Sequence, residues 1–304
     1  MWIVNHRKLF FIISGVTVGL SILFVALWGL HFGIDFTGGA LTEVSYTERP
    51  DKDAVETRLD TIATLGSYSL RASGDASYIL RTKDLTESER VAVDNALSLG
   101  KPDTMSVDRF NSIGPVIGEE LRNKAFFAIG VVVLAIILFI AFTFRHVSEP
   151  VSSWKYGTIA IVALLHDIIL PVGMFAVLGK FFGAEVDALF VMALLAILGY
   201  SVNDTIVVFD RVRENLRQNA DTNVREQFDV TVGRSLEQTF VRSINTSLTT
   251  ALVLVTLSLV GADATQWFAL TLLAGIIAGT YSSIFLATPL LVWVNDRQQK
   301  KKKK

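Results

Sequence analysis

The stretch ALFVMALLAILGYSVNDTIVVF, residues 188–209, decides how the chain is read. One ionisable residue, Asp204, interrupts an apolar run of the length that crosses a bilayer core, roughly 20 residues. Such a run predicts a membrane helix, and the acid inside it needs a physical reason to be there. On either side the same pattern repeats at 9–30, 124–144, 157–178, 241–260 and 266–294, the last long enough to tilt. The expected architecture is therefore six transmembrane helices. Composition agrees. The 304 residues are 51% hydrophobic and 19% charged, below the quarter or so typical of soluble chains, and the mean hydropathy is +0.47. A net charge of -1 gives no nucleic-acid signature, and the lack of cysteine excludes disulfides, thiolate metal sites and cysteine nucleophiles. It also fits a chain partly exposed to an oxidising compartment.

The first run follows His6, Arg7 and Lys8 and exceeds a signal-peptide core in length. No small-residue cleavage motif precedes Phe32, so an uncleaved helix is expected. Basic residues then set the orientation. Arg7 and Lys8, Arg145 and Lys155, the group Arg211, Arg213, Arg217, Arg225 and Arg234, and the tail Arg297 with Lys300 to Lys304 all fall on one side. The loops at 180–187 and 261–265 are nearly free of them, which predicts both termini in the cytoplasm. All five tryptophans, Trp2, Trp28, Trp154, Trp267 and Trp293, stand at predicted span ends, where an amphipathic ring prefers to sit. The lysine tail reads as a solvated end with weak attraction to anionic membrane lipids.

This divides the chain into a cytoplasmic start with span one (1–32), an extracytoplasmic segment (33–122), spans two to six (123–296) with a cytoplasmic loop at 210–240, and a basic tail (297–304). In the segment at 33–122, strands are expected at 40–46, 67–72, 77–82 and 104–113. The middle two form a hairpin around Ser73-Gly74-Asp75. A helix is expected at 53–63, with Val55, Leu59 and Ile62 on one face. A second opens at a Thr86/Glu89 capping box and runs to about Leu97. The order β-α-β-β-α-β predicts a ferredoxin-like α+β domain.

Ionisable residues inside spans face the bundle interior more often than lipid. His166 and Asp167 fall mid-way along span three. Asp204 follows Asn203 about nine ångströms inside the end of span four, at 1.5 Å per residue. Span five carries Arg242, Asn245, Thr246 and Thr249 at i, i+3, i+4 and i+7, a polar stripe. Asp204 and Arg242 share a depth on consecutive antiparallel helices, so an ion pair is feasible. Such a pair would hold the carboxylate ionised, and a motion separating the two would let a proton on. Simpler roles stay open: Arg242 as a snorkelling anchor, Asp204 as a hydrogen-bonding partner of another helix, and His166–Asp167 as either a structural pair or a relay member. Nucleotide loops and the HExxH zinc motif are absent from the sequence, so no cofactor is expected, the energy source would be an ion gradient, and the chain is not read as an enzyme.

The run from Gly199 to Glu214 (GYSVNDTIVVFDRVRE) resembles the fourth-span signature of the SecD/SecF family, in its SecF branch. Gly33-Ile34-Asp35-Phe36-Thr37-Gly38-Gly39 is similar to that family's motif after span one. Arg242-Ser243 through Thr249-Thr250, Gly275 through Ser283, and His166-Asp167 resemble its fifth, sixth and third spans. The resemblance implies membership of the resistance-nodulation-division (RND) superfamily and a place as half of a twelve-helix bundle with SecD in the bacterial inner membrane. It implies association with the SecYEG channel and use of the proton-motive force late in export of a preprotein. It also implies that Asp204 and Arg242 are the proton-path residues, with His166, Asp167, Asn203, Asn245 and Thr249 as secondary candidates, and protons, with sodium not excluded, as the coupling ion. Gly275 and Gly279 would allow close helix contact in span six. The alternatives are an RND-type small-molecule transporter, which a single external segment of about ninety residues disfavours, and a scaffold that moves no protons.

Overall fold

Six helices of the computed structural model are long and apolar enough to cross a membrane, as the six runs predict. The structure describes residues 2–143, 153–261 and 263–302. The predicted end of span two at Phe144, Arg145 of the following loop, Ala262, Lys303 and Lys304 lie outside the described residues. Two units emerge, Met1–His31 with Phe127–Lys304, and Phe32–Phe126.

The second unit is a four-stranded antiparallel sheet with two packed helices, preceded by a single helical turn at Ile34–Thr37. Its main elements are β1 (Gly39–Tyr46), α2 (Lys52–Leu59), β2 (Ser69–Ser73), β3 (Ser77–Thr82), α3 (Glu87–Leu97) and β4 (Met105–Ile113), following the first long helix α1 (Arg7–Trp28). The sheet order is β2-β3-β1-β4, the ferredoxin-like arrangement that a β-α-β-β-α-β chain adopts. Strand alternation builds the core: Val44 and Tyr46 of β1 and Tyr78 and Leu80 of β3 point to one face. There they meet Val55 and Leu59 of α2 and Val93 and Leu97 of α3. Thr86 and Glu89 form the predicted capping box, with both reciprocal bonds present. Helix α2 stops at Leu59, four residues short of its expected end. The chain there tightens into i+3 turns, Leu59 to Ile62 and Ile62 to Leu65, that still bring Ile62 onto the core.

Gly38 and Gly39 stand where β1 begins. Both have positive φ, 73° and 121°, and a Cβ on Gly38 would lie 2.7 Å from the Cα of Pro115, one on Gly39 2.6 Å from the Thr82 carbonyl oxygen. Only glycine fits there.

The other unit is the helix bundle: α1, α4 (Pro115–Thr143, entering from the sheet unit), α5 (Ser153–Phe182), α6 (Ala188–Asp221) and α7 (Phe228–Val260). Span six is α8 (Asp263–Tyr281), a π-helical segment (Ser282–Ala287) and α9 (Thr288–Lys302). Span six is the most enclosed of the six and α4 the least. The predicted loop at 210–240 is mostly helix. Helices α6 and α7 run on past their apolar parts and leave only Thr222–Gln227 between them. Polar bonds hold this extension together: Asn215 Nδ2 donates to Ser235 Oγ at 2.8 Å, and Arg234 pairs with Glu226 at 2.9 Å. Arg7 pairs with Asp296 at 2.8 Å, which ties the start of span one to the end of span six.

Candidate functional site

The middle of span six carries two consecutive serines, Ser282 and Ser283, at the start of the π segment. A π turn widens the helix, and such segments recur at functional sites. Both serines are fully buried, and each donates to a different carboxylate. Ser283 Oγ donates to Asp204 Oδ2 on α6, and Ser282 Oγ to Asp167 Oδ2 on α5 at 2.7 Å. The carbonyl of Ser283 accepts from Thr288 Oγ1 at 2.7 Å. A side chain thus serves a backbone group that the irregular turn leaves available.

Asp204 is partly buried. Its other oxygen accepts from Ser243 Oγ of α7 at 2.5 Å, so one carboxylate joins spans four, five and six. Around it, Thr280 Oγ1 donates to Ser247 Oγ at 2.5 Å, and the Tyr200 hydroxyl reaches Ser247 at 3.4 Å. A narrow cleft of about 60 Å³ opens beside Asp204, lined by Tyr200, Asn203, Val207, Arg242, Ser243 and Thr246. Asp204 and Arg242 therefore share a cleft. No ion pair joins them, however, and the carboxylate is held by hydroxyls instead. Hydroxyl donors can stay with a carboxylic acid after it gains a proton, which a guanidinium cannot do as favourably.

The polar stripe of span five is turned differently from the expectation. Arg242, Asn245, Thr246 and Thr249 are exposed on this chain, and the inward face carries Ser243 and Ser247. Thr249 Oγ1 bonds back to the carbonyls of Asn245 and Thr246, at 3.0 and 2.9 Å. Asn203 is exposed too. Gly275 and Gly279 serve contacts inside the chain. A Cβ on Gly275 would lie 2.2 Å from Ile197, and one on Gly279 3.0 Å from Ser201, so they let span six approach span four.

Asp167 sits in a sealed site. It is 0% exposed and His166 beside it 3%. His166 Nδ1 lies 2.8 Å from Asp167 Oδ1, while Ser201 Oγ and Ser282 Oγ both reach Oδ2. The His166 ring stacks on Tyr281, whose hydroxyl donates to the Phe10 carbonyl at 3.2 Å and accepts from Ser14 Oγ at 3.3 Å. Serines 201, 243, 282 and 283 are the residues that charge-based reading passed over. Their signal was small-residue spacing within otherwise apolar helices.

Known proteins match this arrangement along most of its length. The family model described as protein export membrane protein SecD/SecF, C-terminal, matches residues 94–297, and the SecD/SecF GG motif matches 29–48, around Gly38 and Gly39. The chain is 40% identical to protein translocase subunit SecF of Thermobaculum terrenum, over 96% of this chain and 94% of that one. It is 37% identical to that of Synechocystis sp., over 93% and 90%. The crystal structure of SecDF, a translocon-associated membrane protein from Thermus thermophilus, superposes with a TM-score of 0.78 at 30% identity. That match takes in 97% of this chain and 40% of the larger SecDF chain. A helix bundle with a buried acid in span three and a half-buried one in span four, a glycine pair opening the sheet unit, and relatives aligned nearly end to end agree: the chain belongs to the SecD/SecF family of protein export membrane proteins, as a SecF-like translocase subunit.

Proposed function

We propose that this chain works beside a SecD partner in the bacterial inner membrane, with both termini cytoplasmic, and converts proton entry at Asp204 into movement of its sheet domain. The observation that carries this is the Asp204 carboxylate, bonded at once to Ser243 and Ser283 and open to a cleft that also holds Arg242. A proton arriving there cancels the charge that gathers these helices. The packing of spans four, five and six then has two preferred arrangements, one for each state. Arg242 stands on the open face of α7 with Asn245 and Thr249, a polar surface that lipid disfavours and that SecD would cover. Motion of the sheet domain would then grip or release a preprotein emerging from the SecYEG channel. The proton-motive force supplies about 2.3 kcal/mol per charge per 100 mV. Sodium is the alternative coupling ion.

The test is preprotein translocation into membrane vesicles under an imposed proton gradient, with wild type and Asp204→Asn at equal abundance beside SecD. Asparagine keeps the shape, accepts from one serine through Oδ1 and can donate to the other through Nδ2, so the complex assembles while the gradient-dependent part of export is lost. Full gradient dependence in the variant would make Asp204 structural and favour the scaffold role.

A further inference from the structure

We propose that His166 and Asp167 form a second proton-binding centre, coupled to Asp204 through Ser282 and Ser283 of the π segment.

The first step is charge. Asp167 is buried completely, and no lysine or arginine is bonded to it among the described residues. The ionisable groups facing it are His166 from its own helix and Tyr281 from span six. Span four brings Ser201, with Asp204 one turn further on, and span one brings Ser14 towards Tyr281. A carboxylate held here only by two hydroxyls and a neutral imidazole is costly, and a proton shared with His166 relieves that cost. It can rest on either partner, as imidazolium beside carboxylate or imidazole beside carboxylic acid, so the proton belongs to the pair.

The second step is the other ring nitrogen. Nε2 of His166 is buried and has no hydrogen-bond partner among the described residues. With the proton on the pair, Nε2 carries a hydrogen in either arrangement, and that N–H is an orphan donor. With the proton gone, Nδ1–H donates to Asp167, and Nε2 keeps only a bare lone pair. The protonated state thus leaves a buried donor unsatisfied, and the deprotonated state leaves a buried negative charge. Each state has one defect and the other relieves it.

The third step is the link. Ser282 Oγ is within bonding distance of Asp167 and also of the Gly279 carbonyl at 3.2 Å, while Ser283 Oγ reaches Asp204 and also the Thr280 carbonyl at 3.1 Å. A hydroxyl has one hydrogen, so each serine serves one acceptor at a time. Protonating a carboxylate weakens its claim and frees its serine for the carbonyl three residues back. The two serines are neighbours in one irregular turn, so a change at either reshapes the support of the other. Helix α6 supplies a second link, since Ser201 bonds Asp167 and Asp204 follows one turn later.

This coupling rests on Asp204 taking up a proton, and infrared difference spectroscopy separates the two claims. Full-length protein in lipid bilayers is titrated with pH as wild type, Asp204→Asn, Asp167→Asn and Ser282→Ala. Wild type minus Asp204→Asn isolates the carboxylic-acid band of Asp204. Its midpoint moves by about one pH unit in Asp167→Asn, the interaction that marks coupled sites, and in the same sense but less in Ser282→Ala. An Asp204 midpoint identical in wild type and both variants overturns the coupling while leaving the proposed function intact. An Asp204 that never titrates overturns both. If Asp167→Asn does not fold, Ser282→Ala decides, because it keeps both carboxylates.

Discussion

In the sheet unit the buried polar residues among those described are Thr42, Thr82 and Ser98, and its charged residues are exposed or, like Arg81, half-buried. In the bundle the arrangement is inverted. Ser201, Ser243, Ser282, Ser283, His166 and Asp167 lie at the centre, while Leu134, Leu138, Phe139 and Leu252 face outward. The sheet unit folds by removing apolar area from water. In lipid that drive is absent between helices, so small residues and interhelical hydrogen bonds do the assembling. The same chain thus gathers apolar side chains against one sheet face in one unit and sets hydroxyls and ionisable groups among the packed helices of the other.

The contrast is broken most strongly by removing core volume in the sheet unit. Leu80→Ala on β3 deletes a fully buried side chain and is expected to cost about 2–5 kcal/mol. Hydrogen exchange in the full chain would show amides of β1, β3 and α3 losing protection, with those of α6 and α8 unchanged. Loss of protection in the bundle as well would mean that the two units do not unfold separately.

In the bundle the sensitive change is an added methyl. A Cβ on Gly173 of α5 would lie 2.3 Å from the Cβ of Ser21 and 2.5 Å from its Cα, so span one must move as a backbone. Gly173→Ala is expected to cost about 1–3 kcal/mol through overpacking. Its signature is a lower midpoint of thermal unfolding in detergent and a crosslink between spans one and three that forms more slowly. An unchanged midpoint would show that the contact between α1 and α5 has slack.

What could be read from the sequence follows the same division. Strand alternation and the capping box are local patterns, so β1, β3 and the start of α3 lie where Tyr78, Leu80 and Thr86 place them. The end of α2 was less legible, because the apolar spacing of Val55, Leu59 and Ile62 continues through a change from helix to i+3 turns. The six spans were plain from hydropathy. Within them, Asp204, Asp167 and His166 stood out because charge in an apolar run is rare. Their partners did not. Ser243 is one residue from Arg242, about 100° around the helix, and nothing in one helix tells which of those two directions meets span four. The π segment SSIFLA contains no residue type that requires it. Both features are set by packing among helices distant in sequence, which single-segment patterns cannot encode.

The smallest expected effect belongs to the surface of the sheet unit and sharpens the comparison from its polar side. Glu89 accepts from Lys83 Nζ at 2.7 Å and from the Thr86 backbone at 2.9 Å. The Lys83 bond first, then the two Thr86 bonds, lower its carboxyl from an ordinary 4.5 to about 2. A depressed value means that the folded state holds the ionised form. The contribution of Glu89 to stability is therefore complete above pH 4.5 and fades as pH falls towards 2. Being exposed, the ion pair with Lys83 adds little by itself and is weakened by salt. Protection of the first-turn amides of α3, taken as the intrinsic over the observed exchange rate at each pH, should fall between pH 5 and pH 2 at low salt in wild type. Glu89→Gln should lack that acid-dependent step while keeping part of the cap, because a glutamine at the third helical position still accepts from the Thr86 backbone. An identical acid response in both proteins would assign the step to another carboxylate. The cap would then owe its hold to the Thr86 hydroxyl, which does not titrate in this range.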